Sequence, residues 1–287
     1  MTTRSFSKKF FLFVCGSLLA ATISGCTNSS RMELVDGTFG TPLPKEFHGV
    51  GRNVPQHTLM EGITLSGNYF KDREVQATAY NKDTSFSETV KMPHSKADIT
   101  YKLPQFNVNF DFELLKKFEL LMAGLGGGAQ LGDYKSVYFQ FMLGINHSFF
   151  EAGMFANAVF AFDVDSRFRG YRYYGSSYEM GYYSEPYKNT TLSEETEYRL
   201  QPFGTLGLFA GVYWGQVGLN ASVTYLSPWM GSEDDLQLTI DFPGMISLYT
   251  GISAWITNSW KLSAGPTFLF GGKDPALAFG GSLEFWM

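Results

Sequence analysis

From Phe106 to Leu114 the chain alternates without a break. Phe106, Val108, Phe110, Phe112 and Leu114 fall on one face of an extended strand, and Asn107, Asn109, Asp111 and Glu113 fall on the other. That is period two, with no helical component. The pattern returns at 216–228, where Val217, Leu219, Ala221, Val223 and Tyr225 oppose Gln216, Asn220, Ser222 and Thr224. Repeated along the chain it predicts ten strands, within a range of about eight to twelve. They cover roughly 61–71, 100–114, 118–129, 135–147, 150–163, 199–213, 216–228, 245–257, 260–271 and 277–287. The third is the least regular, because Leu120, Leu121 and Met122 run together.

The first residues carry a different signal. Arg4, Lys8 and Lys9 form a basic head, Phe10–Ala21 is apolar, and Ile23-Ser24-Gly25-Cys26 follows. A charged head, a short apolar run and small residues make a secretory leader, too short to span a bilayer. Its Ile-Ser-Gly-Cys ending resembles the lipobox of bacterial lipoproteins, which implies that Cys26 is diacylated and becomes the new N-terminus. Thr27 in the next position is, by the same resemblance, compatible with the outer membrane of a Gram-negative cell. The expected division is a leader at 1–25, a lipidated tether at 26–60 and a barrel at 61–287. The tether holds Pro42, Pro44 and Pro55 without periodicity, which reads as flexible chain; folding back into the barrel mouth is the other option.

With that leader in front, the apolar strand faces read as turned to lipid and the polar faces as turned inward. The fold class is all-β, an antiparallel up-and-down transmembrane β-barrel. Link lengths agree with it. Those near 115–117, 148–149, 214–215 and 258–259 are short, whereas 72–99, 164–198, 229–244 and 272–276 are longer, with 130–134 as the exception. Short periplasmic turns and long extracellular loops alternate in this way. An even strand number then predicts both termini on the periplasmic side, where a lipid on Cys26 would enter the inner leaflet. Trp214, Trp255, Trp260, Trp286 and Trp229 all fall near strand ends, as expected for indoles at a membrane interface. Leu277, Phe279, Leu283, Phe285 and Met287 alternate to the last residue, which resembles the terminal signal of outer-membrane barrels, although the usual final aromatic is replaced by Met287 after Trp286. That resemblance implies the barrel-assembly machinery, membrane lipid and lipopolysaccharide as partners.

Composition narrows the chemistry. Charged residues make up 17% of 287 residues and aromatics another 17%, against about 25% charged in an average soluble protein. A net charge of −5 leaves no basic face for a nucleic acid. Cys15 and Cys26 both lie in the leader region, and the four histidines are scattered, so no disulfide, metal site or cofactor is expected in the mature chain. Gly124-x-Gly126-x-x-Ala129 matches a dinucleotide fingerprint on paper, but a strand rather than a helix follows it. The inward Asp111, Glu113, Glu151, Asp163 and Glu284, with Lys261, are expected to fill a narrow lumen with ion pairs rather than to do acid–base work.

Ten strands also invite comparison with the omptin proteases, whose acidic residues and histidine lie near the extracellular rim. Asp163 and Asp165 fall near that rim here and His94 in the first loop, but their spacing and context match no omptin motif. No catalytic residue is carried over and no enzymatic activity is expected. The stretch 164–198 is the candidate binding loop. It intersperses Tyr171, Tyr173, Tyr174, Tyr178, Tyr182, Tyr183 and Tyr187 with Arg167, Arg169 and Arg172. Tyrosine offers rigid amphipathic area, and arginine offers planar donors. The expected role is structural or surface-binding, toward an extracellular glycan or protein. The bland counterpart has the tyrosines packing over the barrel mouth and the arginines holding lipopolysaccharide phosphates. The alternatives are a narrow channel for small or apolar solutes, an omptin-like rim hydrolase and a soluble periplasmic β-lipoprotein.

Overall fold

The computed structural model describes residues 30–41, 47, 49–71, 74–81, 96–174, 187–228, 237–238, 240–241, 244–271 and 275–287. Its strands are β1 (Ser30–Gly40), β2 (Leu59–Phe70), β3 (Glu74–Asn81), β4 (Lys96–Lys102), β5 (Phe106–Phe118), β6 (Leu121–Gly132), β7 (Lys135–Asn146) and β8 (Phe150–Tyr174). They continue with β9 (Tyr187–Trp214), β10 (Val217–Pro228), β11 (Gln237–Leu238), β12 (Ile240–Asp241), β13 (Met245–Trp255), β14 (Trp260–Phe270) and β15 (Ala276–Trp286).

Ten of these strands, β2, β5 to β10 and β13 to β15, pair antiparallel with their neighbours and close a barrel. The seam joins the last strand to the first. Phe285 lies opposite Ile63, and Glu61 and Met287 exchange backbone hydrogen bonds of 3.1 and 2.9 Å. Side-chain parity follows the sequence. Phe110 is 56% exposed on the outer wall, whereas Asn109 is 7% exposed on the inner one. Val217, Leu219, Val223 and Tyr225 face out, and Asn220, Ser222 and Thr224 face in. A wall that is apolar outside and polar inside is that of a transmembrane barrel of the outer-membrane kind.

The links at 119–120, 147–149, 215–216 and 256–259 gather at one end, here the floor, together with Leu59 and Met287. The longer connections and the short 133–134 turn gather at the other end, the mouth. The irregular parity near Leu120 resolves there: Glu119, at φ 52°, and Leu120 form the floor turn, so Leu121 faces out and Met122 faces in.

Four expectations are corrected. The strand expected over 100–114 is two strands, because Pro104 has no N–H for a ladder and Gln105 donates its N–H to Asp133 instead, at 2.9 Å. The stretch 164–198 is not mainly loop: β8 and β9 run on past the barrel rim to Tyr174 and from Tyr187. Trp255 and Trp286 lie at strand ends yet are buried inside, since they share parity with the inward residues; Trp214 and Trp260 face out, and Trp229 lies outside the described residues.

The fourth correction concerns the tether. Its described part is not flexible chain. β1 pairs antiparallel with the protruding half of β8, taking the edge that β7 leaves free at Lys135, and parallel with β4. The chain then crosses the barrel interior. Thr41 donates to the Lys102 carbonyl at the mouth, at 3.0 Å, and His57 donates to the Lys117 carbonyl at the floor, also at 3.0 Å. The first barrel strand and Met287 do share the floor, as an even strand number requires, but Ser30 lies at the mouth end. Residues 1–29, with the leader and Cys26, lie outside the described residues.

Two apolar clusters result. One closes the mouth, with Phe39, Val75, Ile99 and Tyr101 of the external strands, and Leu103 just after β4, packed with Phe203, Leu226, Met245 and Leu269 of the upper wall. The other fills the floor, with Phe47, Val50 and Val54 of the crossing segment against Met142, Phe155, Phe209, Trp255 and Trp286.

Candidate functional site

Period two on β7, β8, β13, β14 and β15 turns Asn146, Glu151, Trp255, Lys261 and Glu284 into the floor of the lumen. There they meet the crossing segment. Gly49 and Gly51, at φ +69° and +72°, take the left-handed conformation that glycine adopts without steric cost. This turns successive backbone groups toward the wall. Glu151 accepts from the Val50 N–H at 3.1 Å and the Gly51 N–H at 2.8 Å. Lys261 donates to the Gly49 carbonyl at 2.5 Å and to Glu284 at 3.0 Å. The Trp255 indole donates to the Gly51 carbonyl at 3.2 Å.

Asn146 binds the segment from both ends of its amide. Its Oδ1 accepts from the Val54 N–H at 2.9 Å and its Nδ2 donates to the Arg52 carbonyl at 2.9 Å. Lys117 donates to Asn53 at 2.8 Å and to Asn146 at 3.0 Å. Arg52 lies over the Trp255 ring, 3.8 Å from its centroid, and donates to the Asn258 carbonyl at 2.6 Å. Phe47 packs on Phe209 with ring centroids 4.4 Å apart. Glu284 also accepts from Ser282, Ser263 and the Trp286 indole at 3.0, 3.3 and 3.1 Å.

The floor of the lumen therefore holds buried charged groups bonded to the crossing segment and to the wall. Lys261 is fully buried and ion-paired with Glu284, and the carboxylate of Glu151 takes two backbone donors. Buried charge is tolerated where such partners are present. The expected lumen ion pairing is present at Lys261 and Glu284. The crossing segment that this wall holds corresponds to the fold-back option for the tether, and Gly-Val-Gly at 49–51 ahead of Asn53 is the signal that favours it over flexible chain. Asp111 and Glu113 are buried on the same inner wall, and the side chain of Asp163 is not described. In the fingerprint stretch, Gly124 to Ala129 is strand β6, and a Cβ on Gly126 would stand 2.9 Å from the Phe112 carbonyl oxygen; close strand packing accounts for that glycine.

Outside the barrel, β8, β9, β1, β4 and β3 form a continuous sheet. Tyr171, Tyr173, Tyr174 and Tyr187 belong to its strands, whereas Tyr178, Tyr182 and Tyr183 lie outside the described residues. Arg167 and Arg169 are exposed. Arg169 donates to Asp36 of β1 at 2.8 Å through Nε, with a second contact through its terminal nitrogen. On the opposite edge its register partner is Glu194. The backbone of Arg172 pairs with Met32. The arginines thus sit in the strand that joins β1 to β9. Among the described residues no group of His, Cys, Asp and Glu gathers as a metal site would require. His94 lies outside the described residues.

No family model matches the chain, and no curated protein matches it. Among solved structures it is similar to the outer-membrane protease OmpT from Escherichia coli, at 9% identity and a TM-score of 0.35, over 80% of this chain and 96% of that one. It is similar also to the translocator domain of the autotransporter NalP from Neisseria meningitidis, at 9% identity and a TM-score of 0.31, over 79% and 87%. A FadL homologue from Pseudomonas aeruginosa gives 7% identity and a TM-score of 0.29, over 79% and 89%. At that level of likeness no residue role passes from them to this chain.

Proposed function

We propose that the protein is a plugged outer-membrane barrel whose work is done outside the bilayer, as a structural or surface-binding protein. The role is non-enzymatic. Its binding face is the external sheet, with Arg167, Arg169 and the tyrosines of β8 and β9, and its ligand is an extracellular glycan or protein. Membrane lipid and lipopolysaccharide surround the apolar wall, and the barrel-assembly machinery inserts it. The observation that carries this reading is the lumen itself: Phe47 and Gly49 to Val54 of the chain's own crossing segment lie at the floor, and the segment is bonded to wall residues of β5, β7, β8, β13 and β14. The segment so held stands where a solute would have to pass.

Planar-bilayer recordings on the folded full chain are expected to be silent, and steady conductance of the full chain would overturn the plugged reading. Replacing Tyr171, Tyr173, Tyr174 and Tyr187 with serine is expected to abolish binding of the protein to isolated cell-surface polysaccharide while heat-modifiable gel mobility, the sign of an assembled barrel, is kept. Unchanged binding would remove the sheet from the role.

A second reading has one observation in its favour. Gln140, Asn220, Ser222, Thr224 and Thr267 line the inner wall with buried polar atoms that bond no group among the described residues. Such a belt suits a narrow polar channel opened when the segment withdraws. It requires conductance steps in Glu151→Ala, whose plug is loosened.

A further inference from the structure

Ser30 pairs with Tyr174, the last residue of a strand 25 residues long that starts at the floor. At ~3.3 Å per residue such a strand is about 80 Å long, and a tilt of ~45° leaves about 55 Å along the barrel axis, twice the ~25 Å apolar band. Ser30 therefore stands well beyond the membrane on the mouth side. The mouth carries the long connections and the floor the tight turns, an asymmetry that assigns the mouth to the cell exterior. Cys26 is four residues upstream of Ser30. Four extended residues reach at most about 14 Å, far short of the opposite leaflet.

We propose that the chain passes outward through its own barrel, so that its N-terminal end lies on the extracellular face and any acyl chains on Cys26 are carried outside the cell. This rests on the plugged-lumen reading and adds a direction to it. The inner leaflet is out of reach while β1 is paired and residues 49–57 hold their wall contacts. The geometry replaces a periplasmic tether with a surface-displayed N-terminus, held by the β1–β8 ladder and by the floor cluster of Glu151, Asn146, Lys117 and Lys261.

The test uses the full chain in intact cells. One epitope tag is inserted between Thr27 and Asn28 and, in a separate variant, another between Ser148 and Phe149 in a floor turn. The N-terminal tag is expected to bind antibody on intact cells, and the floor tag only after permeabilisation. The reverse pattern overturns the proposal. Where a tag blocks assembly, Ser30→Cys labelled with a membrane-impermeant maleimide gives the same readout, and protection of that thiol on intact cells overturns it equally. Metabolic labelling with palmitate is expected in the parent chain and lost in Cys26→Ser; an unlabelled parent removes the acyl half of the proposal.

A cross-link separates the premise from the inference. A Cβ on Gly51 would lie 2.9 Å from the Ser253 Oγ, so Gly51→Cys with Ser253→Cys is expected to form a disulfide in assembled barrels. If that bond forms while the N-terminal tag is hidden, the plug stands and the outward direction falls. If it does not form in assembled barrels, the plugged lumen itself falls.

Discussion

The Gly51 amide donates to the Glu151 carboxylate at 2.8 Å, joining positions one hundred residues apart in the chain. One belongs to the barrel wall and the other to a segment that crosses the barrel interior. The bond exists because period two turns Glu151 inward and a left-handed glycine turns its N–H outward to meet it. Neither element has a reason to sit there without the other.

Removing the acceptor should therefore cost more than a surface change. Glu151→Ala strands the Val50 and Gly51 amides and one contact of Asn146. Breaking a buried charged contact costs about 3–5 kcal/mol. Urea unfolding in lipid vesicles should fall by that amount, while Glu151→Gln, which keeps one acceptor oxygen, should lose less than half as much. Equal midpoints for the parent and Glu151→Ala would mean that the segment contributes nothing to stability.

Gly49 tests the segment from its own side. A side chain there meets the Glu151 carboxylate at once, and its φ of +69° costs an L residue about 1–2 kcal/mol. Gly49→Val is expected to expel the segment and leave the barrel closed. Limited proteolysis of vesicle-embedded protein should then cut within 41–57 in the variant but not in the parent, with heat-modifiable mobility unchanged in both.

The outer wall should show a depth profile. Phe112 lies mid-strand in β5 and Phe118 at its floor end, and both face out, at 43% and 46% exposure. Phe112→Arg should cost about 2–4 kcal/mol and Phe118→Arg about 0–1 kcal/mol. Comparable losses at the two sites, measured in the same vesicles, would contradict a hydrocarbon surround.

The mouth lid should weaken in alkali. Burial, helped by the proximity of Tyr225, holds the Tyr101 hydroxyl above its ordinary range near 10. A raised acid stays protonated in the folded lid while the open chain ionises, so its stabilisation is complete below pH 10 and drains away as the pH climbs beyond it. Protease nicking of the 96–102 hairpin strand should increase above pH 10 in the parent. In Tyr101→Phe that pH-dependent increase should be blunted; an equally steep rise would assign the effect to other groups.

The wall was legible in the chain because lipid and a polar interior impose opposite demands on adjacent residues. Phe110 beside Asn109, or Leu219 beside Asn220, state those demands one residue at a time. The same logic places Trp255 and Trp286 inside by parity, where an argument from strand ends alone puts them at the interface. The crossing segment was legible only as the option of folding back into the mouth, since its order comes from partners far away. Val50 and Val54 have no local period, and the wall residues that hold them read simply as inward polar positions. Likewise the candidate stretch at 164–198 reads as loop because strands outside the membrane need no lipid-facing side; their order comes from the edge that β1 supplies.

A ring that encloses part of its own string constrains the sequence of events by which it is made. The seam between Leu59–Phe70 and Ala276–Trp286 unites the two ends of the barrel sequence, so the gate stays open until the final strand has been delivered. Once it zips, packed Phe47 and Val54 leave no room for a latecomer. An occupant seated before that closure is enclosed by it, with Phe47 and Val54 packed against the wall.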